Sequence, residues 1–164
     1  NLLLKSGADK IVVNSLLNSN QSTVNDLSKY LGEQCLVASV DFKEKDNNFL
    51  VFTNSGQRQI NVSLKEYIKK IQDMPIGELY LNSIDKDGTG QGLLIDILKF
   101  IPQNLNIPLI MVGGIGNWKH MYAGLIEQNV DAVATANIFN FVNNGLSDAR
   151  MKLIENEIKI PKWI

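Results

Sequence analysis

Three groups of residues in this chain have types and spacings that could do chemistry. The first is Asp41, which closes the apolar run Cys35-Leu36-Val37-Ala38-Ser39-Val40. A carboxylate at the carboxyl end of a buried strand sits where parallel α/β folds build their sites, and it suits general acid–base work there. The plain alternative is a loop cap, or an ion pair with Lys43. The second group is Ser83-Ile84-Asp85-Lys86-Asp87-Gly88-Thr89-Gly90, which follows the strand-like Leu79-Tyr80-Leu81. Gly88 and Gly90 let backbone amides approach an anion, while Asp87 can accept from a hydroxyl. A sugar-phosphate site and a simple capped turn fit that loop equally well. Its opening also mimics a calcium loop, but the twelfth position would be Leu94 rather than Glu, and a strand precedes it, so calcium is set aside. The third group is Gly113-Gly114-x-Gly116 between a strand and a helix, a phosphate-cradle pattern. It lacks the glycine spacing of a dinucleotide fold. Ala136-Asn137 at the next strand end would add amides to the same cradle.

Other residues carry less. Lys10 and Glu78 lie near strand starts, where a stabilising ion pair is the favoured reading. The single histidine, His120, falls inside a helix and is expected on the surface. With Cys35 placed within a strand and no Ser-His-Asp set, nucleophilic triad chemistry is not expected.

The elements that must position these groups alternate. Ala8–Val13 reads as a β-branched strand ending in Asn14-Ser15. Ser22–Leu31 is a helix with Val24, Leu27 and Leu31 on one face and Gly32 at its end. Cys35–Asp41 is a strand apolar enough to be covered on both faces. A charged turn over Lys43–Asn48 leads to a hairpin, Phe49–Phe52 and Gln57–Val62, turned by Asn54-Ser55-Gly56. Ser63 is a helix cap for Leu64–Asp73. After the acidic loop come a helix near Leu93–Phe100, a strand ending at Gly113-Gly114, and a helix over Trp118–Gln128. A strand over Val130–Asn137 and a helix over Ser147–Glu157 complete the series. Repeated strand–helix units imply right-handed βαβ crossovers and a parallel sheet.

Composition bounds the rest. The 164 residues are 45% hydrophobic and 20% charged, enough for one domain with its own core. A net charge of −1 leaves no electrostatic footprint for nucleic acid or an anionic membrane. One cysteine excludes a disulfide scaffold and points to a reducing, cytoplasmic setting. No apolar run approaches the roughly 20 residues of a membrane helix.

As a set, Gly7-Ala8-Asp9-Lys10-Ile11-Val12-Val13-Asn14-Ser15, Val40-Asp41, Ser83-Ile84-Asp85-Lys86-Asp87-Gly88-Thr89 and Ile107-Pro108-Leu109-Ile110-x-x-Gly113-Gly114 resemble the cyclase subunit of imidazole glycerol phosphate synthase. A sister isomerase family shares the acidic loop and the Gly-Gly motif, but Asn14-Ser15 and Thr53-x-Ser55-Gly56 look more like the cyclase. The resemblance implies a (β/α)8 TIM barrel, with residues 1–164 forming one partial barrel domain that matches strands four to eight. Units one to three would then be missing, and the isolated chain, with two open sheet edges, is expected to be poorly stable or sticky. The implied activity is an ammonia-dependent lyase and cyclase acting on a phosphorylated formimino ribonucleotide.

By the same resemblance, Asp41 matches one of two catalytic aspartates, the other being absent from this sequence. Asn14 and Ser55 match polar residues around the reacting ribulosyl portion. Asp87 and Gly88 match the loop at one phosphate, and Gly113, Gly114, Ala136 and Asn137 match the cradle for the other. Lys10 and Glu78 match a charged gate through which ammonia enters from a docked glutaminase subunit, the two forming a heterodimer. Neither metal nor redox cofactor is implied. Asn82 stands where Thr is usual and Asn137 where Ser is usual. The segment from Asn140 through Trp163 is also unlike the histidine-pathway enzyme. A related paralogue that builds amidino sugars for surface polysaccharides is the alternative.

Overall fold

The computed structural model describes residues 5–46, 48–136, 138 and 145–161. Its centre is a sheet of seven strands: β1 (Ile11–Val13), β2 (Leu36–Lys45), β3 (Asn48–Thr53), β4 (Arg58–Ser63), β5 (Glu78–Ser83), β6 (Leu109–Val112) and β7 (Ala132–Ala134). Strands β1, β2, β5, β6 and β7 pair in that order and in parallel. This is the arrangement expected of successive right-handed βαβ units. The helices are α1 (Leu16–Ser19), α2 (Gln21–Leu31), α3 (Leu64–Gln72), α4 (Trp118–Leu125) and α5 (Gly145–Glu155), with a 3-10 helix at Ile95–Phe100.

The register divides the sheet into two faces. Successive strand side chains point to opposite sides. Ala38 is aligned with Leu79, and Leu79 with Leu109; Val40 is aligned with Leu81, and Leu81 with Met111. This row is essentially sealed from solvent and forms one core with Leu17 of α1, Val24 of α2, Ile68 and Ile71 of α3, and Ile97. A smaller core joins Ile115, Met121, Ala149 and Leu153 under α4 and α5. The other face carries Val12, aligned with Val37, and Ser39 and Asp41, aligned with Tyr80 and Asn82. It is polar toward the carboxyl-terminal end and apolar at Val12 and Val37, and it is only partly covered: Val37 and Ser39 are buried, while Val12 is 56% exposed.

Several expectations need adjustment. Strand β2 does not stop at Asp41 but continues to Lys45, because Asp41–Lys45 pair antiparallel with β3 from Phe52 back to Asn48. The segment read as a charged turn over Lys43–Asn48 is therefore mostly strand. The β3–β4 hairpin occupies the edge of β2 beyond the point where β1 ends. The helix expected near Leu93–Phe100 is a 3-10 helix; Ile101, extended ahead of Pro102, prevents its continuation. Cys35 lies in a short 3-10 turn, Glu33–Cys35, just before β2 rather than within a strand. Helix α1 was not anticipated. Helix α3 begins as the sequence suggests: the Ser63 hydroxyl accepts from the Glu66 amide, and the Glu66 carboxylate accepts from the Ser63 amide. The Ser63 hydroxyl also donates to the Glu66 carboxylate at 2.7 Å, and this bond first, then the one from the Ser63 amide, holds the Glu66 carboxyl below its ordinary pKa.

Candidate functional site

Asp41 is half-buried on the open face. The Ser39 hydroxyl, two residues back on the same side of β2, donates to its Oδ1 at 3.1 Å. The Asn82 amide, level with it on β5, donates to the same oxygen at 3.2 Å. Oδ2 takes no hydrogen bond among the described residues. One carboxylate oxygen is thus held and the other is open, an arrangement that fixes a carboxylate without consuming it. Lys43, the alternative partner considered for Asp41, instead pairs with Asp85 at 3.7 Å and lies over the Phe52 ring. Asp41 therefore sits within a strand by its pairing, but at the carboxyl-terminal rim of the parallel part of the sheet.

The network extends to the first strand. Asn14 donates to the Ser39 carbonyl at 3.0 Å and accepts from the Thr53 hydroxyl at 3.1 Å. Ser15 is within 3.0 Å of the same hydroxyl and accepts from the Asn54 amide at 3.1 Å. The hairpin turn is thereby tied to the end of β1. Ser55 lies in that turn, exposed, with Asn54, Ser55 and Gly56 all at positive φ. A Cβ on Gly56 would come within 2.9 Å of Ile84, so the hairpin tip rests on the acidic loop. Thr53, Ser15, Ser39 and Asn82 join this network without a site role assigned to them from the sequence, although Ser15, Thr53 and Asn82 figure in the resemblance. The pleat offered a signal for two of them, since Ser39 precedes Asp41 by two residues and Asn82 falls at the polar end of β5.

The acidic loop and the glycine turn meet. Gly113 and Gly114 have φ of +96° and +97°, a region that disfavours any side chain. A Cβ on Gly113 would lie 2.4 Å from the Ser83 carbonyl, and one on Gly114 would lie 2.1 Å from the Gly92 carbonyl. The Gly92 amide donates to the Gly114 carbonyl at 2.7 Å. Only glycine allows these loops to pack so closely. Between them is a small cavity of about 90 Å³ bordered by Tyr80, Asn82, Asp87, Gly113, Gly114 and Ala136. A water needs about 10–15 Å³ of such space, so the cavity has room for more than one water or for a small polar group. Asp85 and Asp87 diverge, one bound to Lys43 and the other bordering the cavity. Gly88 is exposed on the same loop with φ +76°. Asn137 lies outside the described residues.

His120 corrects another expectation. It is partly buried, and its Nδ1 accepts from the Gly116 amide at 3.2 Å, which needs that nitrogen unprotonated. Its ring also approaches Gly92, so it supports the glycine turn from behind. Burial raises the Tyr80 phenol above its ordinary pKa, and the charges of Asp87 and Asp41 push in the same direction. Tyr67 is raised chiefly by burial as well, against a hydrogen bond from Asn18 and with a smaller push from Asp41. At the far end of the open face, Lys10 and Glu78 form an ion pair. Among the described residues no helix is long and apolar enough to cross a membrane.

A mostly parallel sheet, with helices packed on one face and polar groups gathered at its carboxyl-terminal rim, defines a partial barrel of the TIM type. Residues 1–144 match the histidine biosynthesis protein family. The chain is 34% identical over 163 residues to a putative imidazole glycerol phosphate synthase subunit, hisF2, of Parasynechococcus marenigrum, covering 99% of this chain and 61% of that protein. It is 34% identical over 154 residues to imidazole glycerol phosphate synthase subunit HisF of Chlorobaculum tepidum, covering 94% of this chain and 61% of the relative. For HisF of Flavobacterium psychrophilum the identity is 33% over 159 residues, covering 97% and 63%. The chain belongs to the histidine biosynthesis protein family and is HisF-like. It spans about three fifths of the length of the curated relatives it matches.

Proposed function

We propose that this chain is part of an ammonia-using lyase and cyclase, one that converts a formimino ribonucleotide into imidazole glycerol phosphate and aminoimidazole carboxamide ribotide. Residues 1–164 would form one partial barrel domain of it. The observation that carries the reading is Asp41, with Oδ1 held by Ser39 and Asn82 and Oδ2 left open. Such a carboxylate can exchange a proton with a reacting group while keeping its place, and Asp41 is assigned as one of the acid–base pair. Asn14 and Ser55 line the approach to the ribulosyl portion from β1 and the hairpin. Asp87, Gly88, Gly113, Gly114, Ala136 and Asn137 receive one phosphate end, since Asp87, Gly113, Gly114 and Ala136 border a single small cavity. Holding the substrate by that end brings its reactive portion toward Asp41, which is the positional part of catalysis.

Ammonia would reach Asp41 along the open face from the Lys10–Glu78 end, delivered by a glutaminase subunit docked there in a cytoplasmic heterodimer. The polar pair at that end and the apolar middle, Val12 and Val37, suit a gated path for a small neutral amine. The test is Asp41→Asn in the full-length protein with ammonium salt as nitrogen donor. Turnover should fall by about 10²–10⁴; full retention removes Asp41 from the chemistry and sinks the assignment.

A second reading is favoured by Asn82 at the site itself. An amide bonded to Asp41, where the cyclase family usually has Thr, changes the surroundings of the reacting carbon. This suits a paralogue that uses channelled ammonia to form an amidino sugar. Failure of the full-length gene to rescue a cyclase-deficient histidine auxotroph, with turnover retained on an amino-sugar precursor, would favour it. A third reading, a non-catalytic barrel that scaffolds a glutaminase, predicts no turnover of either substrate.

A further inference from the structure

On β5 the side chains alternate, so Glu78, Tyr80 and Asn82 share the open face while Leu79, Leu81 and Ser83 face the core. Glu78 is committed to Lys10, and the Asn82 amide nitrogen to Asp41, while Asn82 Oδ1 is buried without a partner among the described residues. Tyr80 lies between them, level with Ser39 on β2 and Ile110 on β6, and it borders the cavity formed by Asp87 and the Gly113-Gly114 turn. Its hydroxyl has no hydrogen-bond partner among the described residues. A half-buried tyrosine that borders a cavity, and whose phenol has no protein partner, is a donor in waiting.

The charged neighbours indicate what it donates to. Asp87 and Asp41 are acceptors only, and together with burial they keep the phenol protonated. An anion seated against the glycine turn, with Asp87 close by, needs a donor that is still free. The Tyr80 phenol is such a donor, since it makes no hydrogen bond to Asp87 or Asp41 although it borders the same cavity as Asp87.

We propose that Tyr80 is a ligand-binding residue whose phenol O–H donates a hydrogen bond to a phosphate oxygen held at the Gly113-Gly114 turn. This deepens the sugar-phosphate reading above and rests on it, while assigning a side chain that the site motifs leave out. Tyr80 would supply side-chain recognition in a cradle otherwise built from backbone, and would tie the phosphate to the strand that also carries Asn82 and, through it, Asp41.

The experiment compares wild type, Tyr80→Phe and Tyr80→Leu in the full-length protein. Inorganic phosphate is the binding probe and ammonium-dependent turnover of the formimino ribonucleotide is the kinetic readout. Phenylalanine keeps the ring, so the melting temperature should be unchanged. A neutral hydrogen bond lost to bound phosphate should weaken phosphate binding about three- to tenfold and raise KM by a similar factor, with kcat within about twofold. Leucine should weaken phosphate binding at least as much and lower the melting temperature as well. Phosphate affinity of Tyr80→Phe within about twofold of wild type overturns the proposal, as does a fall in kcat with KM unchanged. If the wild type does not turn over the ribonucleotide, the cyclase reading fails, and the phosphate affinities alone still decide the role of Tyr80.

Discussion

The two faces of the sheet are made from alternate residues of the same strands, yet they have opposite characters. On one face, Ala38, Val40, Phe42, Leu79, Leu81, Leu109 and Met111 lie between 0% and 2% exposed. On the other, Ser39, Asp41, Tyr80 and Asn82 form hydrogen bonds or border the cavity, and Val12 stands open. A one-residue slip of β2 or β5 would exchange these sets completely. The packed face therefore fixes the register, and the register places the chemistry. Stability and activity should be separable by face, and that is where the comparison can be broken.

The largest expected effect lies on the open face. Asp41→Asn is nearly isosteric and keeps an acceptor for Ser39, so the melting temperature should stay within a few degrees while turnover falls by about 10²–10⁴. A large loss of stability in Asp41→Asn would show that the two faces are not separable at this residue. The mirror experiment is Leu81→Ala, next to Asp41's partner Asn82 but pointing the other way. It should destabilise the full-length protein by about 2–5 kcal/mol in urea titration, through lost burial and a cavity. At temperatures where the variant stays folded, KM should remain near wild type.

Gly114→Ala tests the border between the faces. The added methyl must meet the Gly92 carbonyl and take up a left-handed backbone conformation. The strain is about 1–3 kcal/mol, and it is relieved by separating the acidic loop from the glycine turn. Phosphate affinity should therefore fall more than stability does. Equal binding in the variant would mean that the packing of these two loops does not shape the anion site. Ser63→Ala acts far from the cradle, on the cap of α3, and should cost about 1 kcal/mol of stability with no change in kinetics.

Much of this division could be read from residue order, because it is local. The polar ends of β1 and β5, the hairpin turn at Asn54-Ser55-Gly56, the cap at Ser63 and the paired glycines are each specified by neighbours in the chain. What could not be read depends on distant partners. Strand β2 passes Asp41 only because β3 folds back to pair with it. The Thr53–Asn14–Ser39 connection spans three strands, so no short motif encodes it. His120 reads from its own helix as a surface residue, because the contact that partly covers its ring comes from Gly92, which is distant in the chain. Tyr80 was legible as a strand residue, while its contact with the cavity depends on a loop that starts at Ile84.

The smallest effect separates the faces through two phenols. Tyr67 belongs to the packed core and Tyr80 to the open face, and burial is the leading reason that each titrates above its ordinary value. Both are displaced upward on folding, so the folded state favours the protonated phenol. Their contribution to stability is complete below the ordinary pKa near 10 and is lost as pH rises through the higher folded value. Urea midpoints should therefore decline as the solution is taken alkaline, and Tyr67→Phe should flatten that decline. The neighbours then distinguish the two residues. Asp87 acts on Tyr80 but not on Tyr67, so Asp87→Asn should lower the phenolate titration of Tyr80 alone, followed by ultraviolet absorbance in Tyr67→Phe and Tyr80→Phe backgrounds. Equal displacement of both phenols would place Asp87 in the field of the core as well, and the separation of the two faces would then fail electrostatically even where it holds in packing.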